Sequence, residues 1–162
     1  MHRLRRILLC GVALAFACPG VISAQTPART PDAALSAEIV ADVATIRSIA
    51  SPEARGDAAH DLAHRIGQMS KAEVDGVSPD AIDAVAALLR DDATALSACH
   101  ILSRFGTHAR SAVSVLEAAI ERELAEERHV IFISGPDRLG IMRRTLRIVR
   151  GGDLDAKSPE PH

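Results

Sequence analysis

Aromatic side chains are almost missing from this sequence: there is no Trp or Tyr, and Phe occurs only at 16, 105 and 132. So few flat rings leave little on which to stack nucleobases. A basic excess is missing too. Lys and Arg number 19 against 21 Asp and Glu, a net charge of −2, so the chain lacks the footprint that nucleic acid requires. Cysteine is scarce, at positions 10, 18 and 99. Long apolar runs are missing as well: the longest, from Ile7 to Ala17, falls short of the roughly 20 residues that span a bilayer. What is abundant is alanine, and alanine without aromatics favours close-packed helices over sheets.

The first 24 residues have their own pattern. Met1-His2-Arg3-Leu4-Arg5-Arg6 is basic, Ile7 to Ala17 is apolar, and Ile22-Ser23-Ala24 ends on small residues. These are the three parts of a secretory signal peptide, with cleavage expected after Ala24. Ala15-Phe16-Ala17-Cys18 lacks the leucine that a lipidation motif places three residues before its cysteine, which speaks against a lipid on Cys18. Without 1–24, three arginines leave and no acid does, so 16 basic residues face 21 acidic ones. Only Cys99 then remains, in an oxidising compartment, and packing alone must hold the fold.

Residues 25–30 read as a flexible leader. From Pro31, Leu35, Ile39, Val43, Ile46 and Ile49 recur at helical spacing, with Pro31 suited to the first turn. Ser51-Pro52-Glu53 and Ser78-Pro79-Asp80 each offer an N-cap, a proline at the first helical position and an early acid. Between them Ser70-Lys71-Ala72-Glu73 has capping-box spacing. The first of these helices is expected to stop at Gly67. Asp91-Asp92 is expected to close the helix begun at Ser78 and cap the next, which stops at Gly106. A longer helix follows from about His108 with Val113, Leu116, Ile120 and Leu124. Val130-Ile131-Phe132-Ile133 fits a helix end or a short strand. A last helix over about Asp137–Arg150 ends at Gly151-Gly152, and 151–162 reads as a disordered tail.

Two segments repeat. Ala59-His60-Asp61-Leu62-Ala63-His64-Arg65-Ile66-Gly67 and Ala98-Cys99-His100-Ile101-Leu102-Ser103-Arg104-Phe105-Gly106 lie 39 residues apart, each followed by an amphipathic run, Ala81–Leu89 and Ala112–Ile120. A period near 40 with two helices per unit is a solenoid signal. Arg-Ile-Gly and Arg-Phe-Gly, the upstream Ala59 and Ala98, and the runs Ala84-Val85-Ala86-Ala87-Leu88 and Ala112-Val113-Ser114-Val115-Leu116 resemble HEAT-type repeats over about 54–126. The resemblance implies stacked antiparallel helix pairs and a protein-binding surface. Two departures stand out. The arginine common early in the first helix of a unit is absent from Ala93–Ser97. The first unit also has the longer loop, 18 residues from Gly67 to Val85 against 7 from Gly106 to Val113. About three units are normally needed for a stable stack, so the flanking helices would act as caps, and a compact five- or six-helix bundle stays open.

Three patterns suggest chemistry. His60 and His64, four apart on one helix face, are the candidate metal ligands, with His100, His108, Asp57 or Asp61 as a third donor brought in by stacking. His60-Asp61-x-x-His64 looks like a zinc-protease motif with a shorter acid, but the repeat alignment pairs His60 with Cys99 and His64 with Ser103, which favours ordinary helix residues. Gly135 to Gly140 has P-loop glycine spacing, yet Ile141-Met142 stands where Lys and Ser/Thr should follow, so the match is coincidental. In the last helix Leu139, Ile141, Met142, Leu146, Ile148 and Val149 fill one half, while Arg143, Arg144, Arg147 and Arg150 form the other, a face for an anionic membrane, a partner, or solvent. Cys99 reads as buried and inert.

The sequence therefore predicts an all-α HEAT-like stack over 31–150, exported to the periplasm of a bacterium. Its expected role is a non-catalytic scaffold for an unidentified protein partner, with no cofactor and no nucleic acid. The alternatives are a metal-binding protein using His60 and His64, or a membrane-surface protein using the C-terminal arginines. Leu62, Ile66, Val85, Leu88, Leu96, Leu102, Val113 and Leu116 are the expected core.

Overall fold

The computed structural model describes residues 32–127 and 137–152, with the side chains of 126 and 127 left aside. The expected signal peptide and leader, Pro31, the Val130–Ile133 segment, Gly135 and residues 153–162 of the expected tail lie outside the described residues. Every regular element among those described is helical: α1 (Ala33–Ser48), α2 (Pro52–Gln68), the single-turn α3 (Lys71–Val74), α4 (Pro79–Ala87), α5 (Ala95–Phe105), α6 (Val113–Glu127) and α7 (Arg138–Val149). Leu88–Arg90 extends α4 as a 3-10 turn, and a second 3-10 stretch, Gly106–Ala112, leads into α6.

The caps follow the sequence closely. Ser51 and Ser78 accept from the backbone N–H groups of Ala54 and Ala81, each with proline in the first helical turn. Ser70 and Glu73 form a complete capping box on α3. At α1 the cap is Asp32, which accepts from Leu35 N–H, so the helix begins two residues after Pro31 and not on it. Asp137 caps α7, and Gly151 ends it at φ +79.

Three expectations are corrected. Gly67 does not stop α2: it is helical, and the chain turns at Met69, which is extended because Ser70 must cap α3. Asp91 closes α4 and accepts from Ala93 N–H, but Asp92 caps nothing; its carboxylate meets Arg138 at 3.1 Å. The next N-cap position is Thr94, whose buried hydroxyl donates back to Leu88 O at 2.7 Å. Finally, α6 begins at Val113 rather than His108. The three-residue period of the 3-10 stretch places Ala109 and Ala112 on one side, and both are fully buried.

Two rows of helices result. In one, α2, α5 and α7 pack side by side in that order; in the other, α1 packs on α4, and α4 on α6 and its 3-10 lead-in. The core runs between the rows. Ala59, Leu62 and Ile66 of α2 and their counterparts Ala98, Ile101 and Phe105 of α5 are all buried. Leu96 and Val113, expected in the core, are only half-buried, and Leu124 is exposed. The repeated arginines do equivalent work. Arg65 pairs with Glu38 and Asp42 of α1, and Arg104 donates to Met69 O just past α2. Arg65 thus ties α2 to α1, and Arg104 ties α5 to the end of α2.

The longer loop of the first unit is α3, and it is used to hold α1. Asp32 N–H donates to Gly76 O at 2.8 Å, and Ser78 N–H donates to the buried Ser36 hydroxyl at 2.9 Å.

Candidate functional site

Because α5 lies between α2 and α7, the two repeated segments meet different surroundings. The side of α5 bearing Cys99 and Ser103 packs on α7: Thr145 Oγ1 lies 3.0 Å from Ser103 Oγ and 3.4 Å from Cys99 O. The equivalent residues of α2, a helix that packs on α5 and α1, are not covered in this way. His60 and His64 are therefore exposed where their counterparts are covered.

The metal candidates do not converge. His64 and Asp61 line a shallow groove with Asp42 and Arg65 of about 440 Å³, and His60 lies outside it. His100 and Asp57 are exposed, and His108 sits 3.2 Å from Asp75. Among the described residues, no three His, Cys, Asp or Glu side chains come together as a metal would require.

Cys99 is fully buried, and burial pushes its thiol up to about 11. Thiolate, the reactive form, is thus suppressed. In the chain lacking 1–24, a thiol reagent at pH 8 should label nothing when the protein is folded and one group per chain in urea. Rapid labelling of the folded protein would contradict this burial.

α7 packs on α5 and α6 and buries Leu139, Met142, Thr145 and Val149, while Ile141, Leu146 and Ile148 are half-buried. Thr145, not expected in the core, is buried because its hydroxyl also donates to Ile141 O, its fourth residue back. The four arginines are not equivalent. Arg150 pairs with Glu117 of α6, Arg147 is half-buried, and Arg143 and Arg144 are exposed without an ion pair among the described residues. Among the described residues no helix is long and apolar enough to cross a membrane.

The other row carries two adjoining depressions that the sequence did not point to. An open groove of about 470 Å³ between the end of α4 and α6 has Leu89, Val115 and Ala119 in its floor, with Arg90 and Arg122 on its rim. Beside it, a cavity of about 210 Å³ lies among Arg47, Arg55, Arg90 and Asp91. Arg90 borders both. Arg55 is satisfied: its Nε donates to Asp91 at 2.6 Å and its Nη1 to Ile49 O and Ala50 O, the carbonyls just past α1. Arg122 donates to Leu89 O at 2.7 Å. Arg47 and Arg90 are exposed and make no ion pair among the described residues.

The hydrogen bond from Arg55 holds the Asp91 carboxyl below the usual aspartate range; partial burial opposes this, and the Ala93 N–H adds to the lowering. A carboxylate with a depressed native pKa stabilises the fold above its unfolded value of about 4, and that contribution is lost as pH falls through the native value. Asp91→Asn should therefore lower the urea midpoint at pH 7, and the gap from the parent should narrow at pH 3. An equal gap at both pH values would rule out the ion pair as its origin.

No family model, curated protein or solved structure matches this chain. Its candidate surfaces have to be weighed on their own chemistry.

Proposed function

We propose that this chain is an exported, non-catalytic scaffold: a short HEAT-like stack, trimmed after Ala24, whose open faces bind another protein. The observation that carries the reading is the order of the helices. The equivalent helices α2 and α5 lie side by side and α7 continues their row, while α1, α4 and α6 form a second row in chain order. Stacking in chain order is what a solenoid requires, since each unit buries its faces on its neighbours; a bundle closed around one core has no such need. Solenoids present extended surfaces along their rows, and binding is the use those surfaces suit.

The test is recovery of the chain from its native cells after mild crosslinking. The expected result is a mature chain beginning at Gln25, in the periplasmic fraction, joined in constant ratio to one protein. A chain recovered alone overturns the scaffold reading, and one that keeps Met1 in the cytoplasm overturns export. Zinc bound to the untagged protein, or its retention on anionic vesicles through Arg143 and Arg144, would replace the scaffold by the metal or membrane alternative.

A further inference from the structure

We infer that the face formed by the end of α4 and by α6 takes an acidic segment of a protein partner, with an apolar side chain in the Leu89–Val115–Ala119 groove and a neighbouring carboxylate at Arg90 and Arg47. This rests on the scaffold reading and names its binding face and the chemistry of its partner.

Charge is the first argument. The chain as a whole is acidic, with a net charge of −2, yet four guanidinium groups gather along these two depressions. Arg55 is balanced by Asp91, and Arg122 is turned onto Leu89 O with Asp92 4.0 Å away. Arg47 and Arg90 have no such balance among the described residues. Placement at helix ends accounts for part of this, because a cation near the last carbonyls is favourable by about 0.3–1 kcal/mol. It does not account for their meeting at one cavity from helices 43 residues apart in the chain.

Shape is the second argument. Leu89 and Ala119 are buried beneath the groove, and half-buried Val115 and exposed Ala118 supply its accessible apolar lining. About 470 Å³ falls within the range of sites that bury a small ligand, which here suits one or two side chains. A guanidinium recognises a carboxylate through two parallel hydrogen bonds, and Arg90 stands on the border between the two depressions. An apolar residue and an acid close together in one segment would engage both. Two unbalanced cations are too few for a phosphate backbone, and neither depression contains a ring for base stacking.

The experiment is selection from a random dodecapeptide display library on the folded chain lacking 1–24. Enriched peptides should carry Asp or Glu within three residues of Leu, Ile, Val or Met. The leading peptide, synthesised and followed by fluorescence anisotropy, should bind more weakly as salt rises and at least about tenfold more weakly to Arg90→Glu. Arg47→Glu should weaken it as well, Arg90→Lys should weaken it less than Arg90→Glu, and Ala118→Trp should block the groove without altering any charge. Arg144→Glu on the opposite row should leave affinity unchanged. All four positions are exposed, so circular dichroism should show every variant folded. Enrichment of peptides without acids, no enrichment at all, or equal affinity for the parent and the Arg47→Glu/Arg90→Glu variant would overturn the proposal. If any of these occurs while crosslinking still finds a constant partner, the scaffold reading stands and another face must carry it; failure of both removes both.

Discussion

Phe105→Ala should come close to unfolding this protein. Phe105 is the sole aromatic among the described residues, 1% exposed, at the end of the central helix α5. Truncating a buried Phe removes its transfer energy and leaves a cavity, together about 3–5 kcal/mol. Net stabilities of domains are only about 5–15 kcal/mol, so the loss is a large fraction of the total. The site has little means of collapsing to fill the gap, because α5 is held from both sides by α2 and α7. Thermal unfolding should fall by at least about 10 °C. Val40→Ala, at a side chain 38% exposed on α1, is the matched control and should change stability by less than about 0.5 kcal/mol. A Phe105→Ala protein as stable as its parent would mean that the two helix rows do not share the core described.

The two glycines that close the repeated segments should respond in opposite directions. Gly106 has φ +58 and ψ −133, a conformation that a Cβ makes costly, so Gly106→Ala should lose about 1–3 kcal/mol although no neighbour stands in the way. Gly67 is an exposed residue inside α2, and a Cβ there would meet nothing within 4 Å. Gly67→Ala should gain roughly 0.5–1 kcal/mol from helix propensity. Urea denaturation of both variants decides the matter. If both lose stability, Gly67 also ends its helix, and the segments are closer copies than the backbone indicates.

These glycines show where the sequence could be read and where it could not. Helix starts at Ser51, Ser70 and Ser78 were legible because each cap is a contact between residues three apart. The end of α2 was not, since Arg-Ile-Gly and Arg-Phe-Gly are locally alike, and the difference comes from Ser70, which recruits Met69 into the next turn. The start of α6 was misplaced for a related reason: Gly106 reverses the chain so sharply that a 3-10 stretch is needed before Ala109 and Ala112 are both covered. Leu62 and Ile66 were expected in the core from the sequence, and both are buried; the repeat alignment added their counterparts Ile101 and Phe105. It also discounted His60 against Cys99, but it could not show that α7 covers the Cys99 side of α5 while His60 stays exposed. Arg47 and Arg90 were silent in the sequence, because each alone reads as an ordinary cation at a helix end and only the packing of α1 on α4 brings them to one cavity.

The insertion that forms α3 sets the modularity of the chain. Repeat units are usually thought exchangeable, to be duplicated, deleted or swapped at the glycine boundaries. Here the N-terminus of α1 is fastened by Gly76 and Ser78, two units of secondary structure further along the chain. Cutting the loop to the length of its counterpart would remove both hydrogen bonds and leave the start of α1 held only by its packing on α4 and α2. Any rearrangement of this protein must therefore carry its first helix and its first long loop together.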